Sequence, residues 1–109
     1  MTLKQTTVVD AIGINSTGSV VLTITDELAW SSNVNEHLML LQEKLNTYLR
    51  FIESGELLET YPDAMGRTVV IDVVCKFPPG SMAREFFDQV APVVEGAGVR
   101  LNQRVFEAR

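Results

Sequence analysis

Apolar and polar residues alternate in two runs near the start of the chain, Val8 to Asn15 and Ser19 to Asp26, both rich in Val, Ile and Thr. A period of two is the pattern of a strand with one buried face. Ser16-Thr17-Gly18 lies between the runs, and Gly18 can take the left-handed backbone that a tight hairpin loop needs. A β-hairpin is expected, with Val20, Leu22 and Ile24 turned to the core and Val21, Thr23 and Thr25 turned away. The period then changes. Val34, Leu38, Leu41, Leu45, Tyr48, Leu49 and Ile52 recur at helical spacing. Asn33 with Glu36 three residues later fits a capping box at the start of this helix, and Gly55 fits its stop.

Residues 56–66 read as a loop closing at Tyr61-Pro62-Asp63 and Gly66. Arg67 to Phe77 is the strongest strand signal in the chain. Val69, Ile71, Val73, Cys75 and Phe77 share one face, while Val70 and Val74 share the other with Asp72 and Lys76. A strand that is apolar on one face and only partly wet on the other belongs in the middle of a sheet. Pro78-Pro79-Gly80 breaks it, and Ser81 is placed to cap a second helix that buries Phe86, Phe87, Val90, Val94 and Ala97. Pro92 falls inside that pattern, where it lacks a donor and crowds the preceding turn, so a kink or restart is expected. Gly96 and Gly98 close the helix. Val99 to Phe106 then alternates Val99, Leu101 and Val105 against Arg100, Asn102 and Arg104. The order ββαβαβ, joined by crossovers that are normally right-handed, predicts an α+β two-layer sandwich. It has a mixed four-stranded sheet with two helices on one face, in a single domain over residues 1–109.

Composition narrows the function more by exclusion than by assignment. With 46% apolar residues in 109, one core can be built without staples. Cys75 is the only cysteine, so no intramolecular disulfide and no cysteine-based zinc site is available. The first residues lack a basic segment leading into a long apolar one, and apolar runs such as Leu38 to Leu41 are far shorter than the ~20 residues of a membrane span. The cytoplasm is the expected location, with no membrane partner. Net charge is −5 and the basic residues are scattered, which argues against nucleic acid, whose binding rests on Lys and Arg neutralising phosphates. The densest basic stretch, Arg100, Arg104 and Arg109, reads as a solvated strand edge.

Candidate chemistry is sparse. His37 is the only histidine, and with Asp26, Glu27 and Glu36 near it in sequence it could hold a metal or activate water. Glu36 and His37, however, are adjacent on a helix and point about 100° apart. The plainer reading makes these solvated helix-start residues suited to the positive end of the helix dipole. Cys75, on the apolar face of a central strand, reads as a small hydrophobe and not a nucleophile. No glycine pattern fits a phosphate cradle, so no catalytic residue, metal or cofactor is expected. Trp30 and Tyr61 flank the long helix and could line a small pocket with His37, or plug the edge of the core. Leu40 and Phe51 fall within about 20° of each other on the helical wheel, away from the main stripe, with Lys44 and Thr47 between them. Such a strip either packs under the second helix or forms an interaction surface, most economically of a two-fold homodimer.

The segments VVDAIGI, VVLTITDELAW, HLMLLQEKLNTYLRFIESGELLETYPDAMGRTVVIDVV and EGAGVRL together resemble a family of short bacterial proteins catalogued only as a domain of unknown function. The likeness covers nearly the whole chain and is most specific in LLQEKLNTYLRFIESGEL. It implies a stand-alone bacterial domain and supplies no activity or active site. The residues themselves favour a non-enzymatic protein-binding module, regulatory or immunity-like, whose acidic surface masks a basic partner. A small-molecule-binding domain or minor enzyme with a cleft near Trp30, His37 and Tyr61 is the alternative from another class. A structural homo-oligomeric subunit is the third.

Overall fold

A computed structural model describes residues 2–30 and 33–106 of the chain. The elements run β1 (Ala11–Ile14), β2 (Val20–Asp26), α1 (Val34–Glu53), α2 (Glu56–Thr60), a 3-10 turn (Pro62–Ala64), β3 (Val69–Cys75), α3 (Ser81–Gly96) and β4 (Val99–Val105). The strands form one sheet in the order β1-β2-β3-β4, with β1 antiparallel to β2 and the other pairs parallel. The molecule is therefore the α+β fold with a mixed four-stranded sheet that the hydrophobic pattern predicts.

The alternation in β2 is realised fully: Val20, Leu22 and Ile24 are all fully buried. The register sets Leu22 beside Ile71 and Ile71 beside Leu101, so one face of the sheet is a continuous apolar layer. Leu41, Leu45 and Tyr48 of α1 and Phe87 and Val94 of α3 join that layer in a single core. Right-handed crossovers stepping in one direction across the sheet place both long helices on the same side. The opposite face carries Gly13, Val21, Thr23, Val70, Asp72 and Asn102, which line an open trough of about 530 Å³. Asn102 Nδ2 donates to Asp72 Oδ1 at 3.2 Å and Arg104 Nε donates to Asp72 Oδ2 at 3.0 Å.

Six local expectations are corrected. The first strand is four residues long, because the backbone before it is taken up elsewhere: Asp10 N donates to the Tyr48 hydroxyl at 3.0 Å. Residues 56–66 are not all loop. Gly55, at φ 90°, ends α1, and buried Leu57 anchors a new five-residue helix. Asn33 stands before α1 in the left-handed region and makes no side-chain cap bond to the backbone; its Nδ2 donates instead to Glu36 Oε2 at 2.7 Å. Gly80, not Ser81, occupies the cap position of α3. Pro92 does not interrupt α3, which runs unbroken from Ser81 to Gly96. Pro92 and Asp88, whose carbonyl loses its helical donor to the proline, are both on the exposed side of the helix, so that carbonyl is open to solvent. Ala97, just after the helix, is exposed, and within α3 Ala83 is buried.

Candidate functional site

The end of β2 and the start of α1 meet at a built corner. Asp26 is the last residue of β2 and fully buried, and His37, in the first turn of α1, is 3% exposed. His37 Nε2 and Asp26 Oδ2 share a hydrogen bond of 2.6 Å, and the other carboxylate oxygen accepts from Leu28 N at 3.1 Å. Trp30 lies flat on the imidazole, ring centroids 3.6 Å apart and planes within 10°, with its Nε1 donating to Phe77 O at 3.2 Å. The plain reading of solvated helix-start residues therefore does not hold for Asp26 and His37. Burial holds the Asp26 carboxyl above the usual carboxylate range, against the opposing pull of the His37 hydrogen bond. His37 Nδ1 is enclosed without a hydrogen-bond partner.

His37 also lines a cleft of about 260 Å³ with Lys4, Leu28, Asn33, Glu36 and Leu40. Trp30 and His37 are thus brought together as the sequence suggests. Tyr61 is not. It follows α2, beyond the far end of a 20-residue α1 that is about 30 Å long, and packs partly buried against the core there. Glu27, the other nearby carboxylate, is occupied by Thr2 Oγ1 at 2.7 Å and Leu3 N at 2.8 Å. Among the described residues, no group of three His, Cys, Asp or Glu side chains is placed to hold a metal ion.

The strip of Leu40, Lys44, Thr47 and Phe51 is not the open surface considered above, nor does it lie simply under α3. The chain's own N-terminal segment crosses it. Lys44 is fully buried, with Nζ 2.9 Å from Asp10 Oδ2 and donating to Gln5 O at 2.6 Å. Thr47 Oγ1 donates to Thr6 O. The Tyr48 hydroxyl donates to Thr23 O at 2.6 Å, and burial pushes its pKa up to about 12. Leu40 and Phe51 are partly buried against the core. Cys75 is buried, and burial first, then the charge of Asp26, pushes its thiol up to about 11, which keeps it un-ionised at neutral pH.

The exposed charge is distributed unevenly. On α1, Glu36, Glu43 and Glu53 are exposed; on α2 and the 3-10 turn, Glu56, Glu59 and Asp63; on α3, Glu85, Asp88 and Glu95. Only Arg50 and Arg84 oppose these nine on the same elements, since Lys44 is inside. Met39, Met82 and Val93 stand exposed among them. Arg100 and Arg104 lie on the other side, on the uncovered sheet face, and Arg109 lies outside the described residues. No described helix is long and apolar enough to cross a membrane. Neither a curated protein nor a solved structure matches the chain. The family match, by contrast, spans residues 1–107, and the chain belongs to the family of unknown function DUF6572.

Proposed function

We propose that the protein is a non-enzymatic, protein-binding module that docks a basic partner through its helical elements. The carrying observation is the imbalance of nine exposed carboxylates against two exposed arginines on those elements. Such a surface draws a basic protein by long-range attraction and repels acidic ones, nucleic acid included. Met39, Met82 and Val93 supply apolar contact within the acidic field, and methionine adapts its shape to what it meets. A regulatory or immunity-like role, in which the acidic face covers a basic working surface, is the form this takes. The single free thiol fits work in the cytoplasm.

The test is capture from the native host by the tagged chain at low and high salt. A triple variant, Glu43→Lys, Glu85→Lys and Asp88→Lys, is run beside it and checked for folding by circular dichroism. A stoichiometric basic partner held at low salt, lost at high salt and lost with the triple variant supports the reading. A partner that the triple variant retains, or no partner at all, defeats it.

A second reading, a small-molecule site or minor enzyme at Trp30 and His37, draws support from the 2.6 Å contact of Asp26 with His37. In it Asp26 fixes the imidazole, whose Nδ1 has no partner within the chain. It requires a metabolite that raises the melting temperature of the chain and no longer does so after His37→Ala; an effect that survives that substitution removes His37 from the site.

A further inference from the structure

No described element covers the sheet face turned away from the helices, although three of its four strands are mutually parallel. All-parallel sheets are almost always covered on both faces, and the parallel part of this mixed sheet, β2 to β4, is covered by helices on one face alone among the described residues. Val21, Val70 and Val74 lie on this face, with Phe77 and Phe106 exposed at its end. We propose that a second copy of this chain covers it, the two sheets packing face to face about a two-fold axis that runs along the strands. The proposal concerns a different surface from the acidic one and stands independently of it.

Charge restricts how two copies can meet. The chain carries −5 overall, with its exposed acid gathered on the helical elements. Meeting at the sheet faces puts the two acidic layers on the outside, as far apart as two copies can hold them. The edges are poor alternatives. Antiparallel pairing of β4 with itself about Asn102 would set Arg100 opposite Arg104, and like charges directly opposite are destabilising. The other edge, β1, is only four residues long.

Register selects the axis. A two-fold along the strands lays β4 of one copy over β1 of the other and β3 over β2, with no shift along the axis. Gly13, Val21, Val70 and Arg100 share one level across the sheet, and Ala11, Thr23, Asp72 and Asn102 share the second level along. The rotation therefore sets Arg100 over the missing side chain of Gly13, Val70 on Val21, Asp72 over the Thr23 hydroxyl, and Asn102 over Ala11. At these two levels Arg100 and Asn102 meet small residues, the two valines meet each other, and no like charges meet. An axis across the strands would instead stack the two arginine rows. The ~30° rotation usual between packed sheets moves the outer rows by roughly 4 Å, within the reach of an arginine.

Gly13 has no role within one copy that explains it. Its φ is not positive, and a Cβ built there meets nothing within 4 Å. Glycine inside a strand weakens it, and often marks the close approach of another group. The face measures roughly 19 by 23 Å, about 440 Å² in plan on each copy and below the area of standard stable interfaces, so the dimer is weak and forms at high protein concentration.

Sedimentation of the full chain across a concentration series tests this, with Gly13→Arg and Gly13→Glu compared. The natural chain is expected to sediment as a dimer near ~100 µM. Gly13→Arg, facing Arg100 of the second copy, should raise the dissociation constant by at least about tenfold, and Gly13→Glu should leave it equal or lower. Net charge alone gives the opposite order, since the arginine variant is the less acidic. Adding Arg100→Glu to Gly13→Arg should restore the dimer. A natural chain monomeric throughout, a Gly13→Arg variant that still dimerises, or two variants that weaken association alike would each overturn the proposal.

Discussion

Asp26 shows how one residue can be held by a partner and still be disfavoured in its charged form. Burial raises its pKa from 3.8, while His37 and the Leu28 amide pull the other way and lose. Between 3.8 and that raised value the folded chain holds a proton the unfolded chain has released, so this group's contribution to stability falls as pH rises through the window. Asp26→Asn removes the titration. Across a series of urea unfolding curves from pH 4 upward, the natural chain should lose stability relative to Asp26→Asn, by at most about 1.4 kcal/mol per pH unit. A difference that stays flat or grows with pH would mean burial is not what governs this carboxyl. Removing the other partner is a separate matter. His37→Ala leaves Asp26 buried without its donor and should cost about 3 kcal/mol. Trp30, the only tryptophan, loses its stacked neighbour at the same time, so its emission reports the change directly.

At the level of elements, what was legible in the sequence was what a short-range period controls. The alternation of β2, the stripe of α1 and the two-faced β4 each depend on neighbours a few residues away. What was not legible depends on a partner far along the chain. Nothing near Lys44 indicates that Asp10, 34 residues earlier, will neutralise it, or that residues 2–10 will roof over the strip from Leu40 to Phe51. In the candidate corner, Trp30 and His37 were legible because a short connection joins β2 to α1, whereas Tyr61 depended on where α2 would turn. The charge asymmetry was readable from residue order and is hidden by net charge, which counts the acids without placing them. The roofed strip carries its own prediction. Lys44→Met keeps the bulk but strands Asp10 in the interior, and should cost about 3 kcal/mol in urea unfolding. Lys44→Met with Asp10→Asn should recover most of that loss. Equal losses for the single and double variants would show that the segment is held by its backbone bonds and not by the ion pair.

For the whole molecule, the separation of charge bears on stability as well as on partners. Nine exposed carboxylates against two exposed arginines on the helical elements repel one another in the folded state and are spread apart in the unfolded one. The repulsion acts through solvent, so it is screened by salt: the Debye length is about 30 Å at 0.01 M and about 8 Å at 0.15 M. The buried contacts, His37 with Asp26 and Lys44 with Asp10, are shielded from ions and respond far less. Raising sodium chloride from 0.01 to 0.15 M at neutral pH should therefore raise the melting temperature, by roughly 4 °C if about 1 kcal/mol of repulsion is relieved. The same increase should leave the Glu43→Lys, Glu85→Lys, Asp88→Lys variant nearly unchanged, because its helical elements are close to balanced. A natural chain that melts lower in salt would mean that favourable surface pairs outweigh the repulsion. In that case the acidic elements would not present a free charged field to a partner, and the basis for the docking reading would go with it.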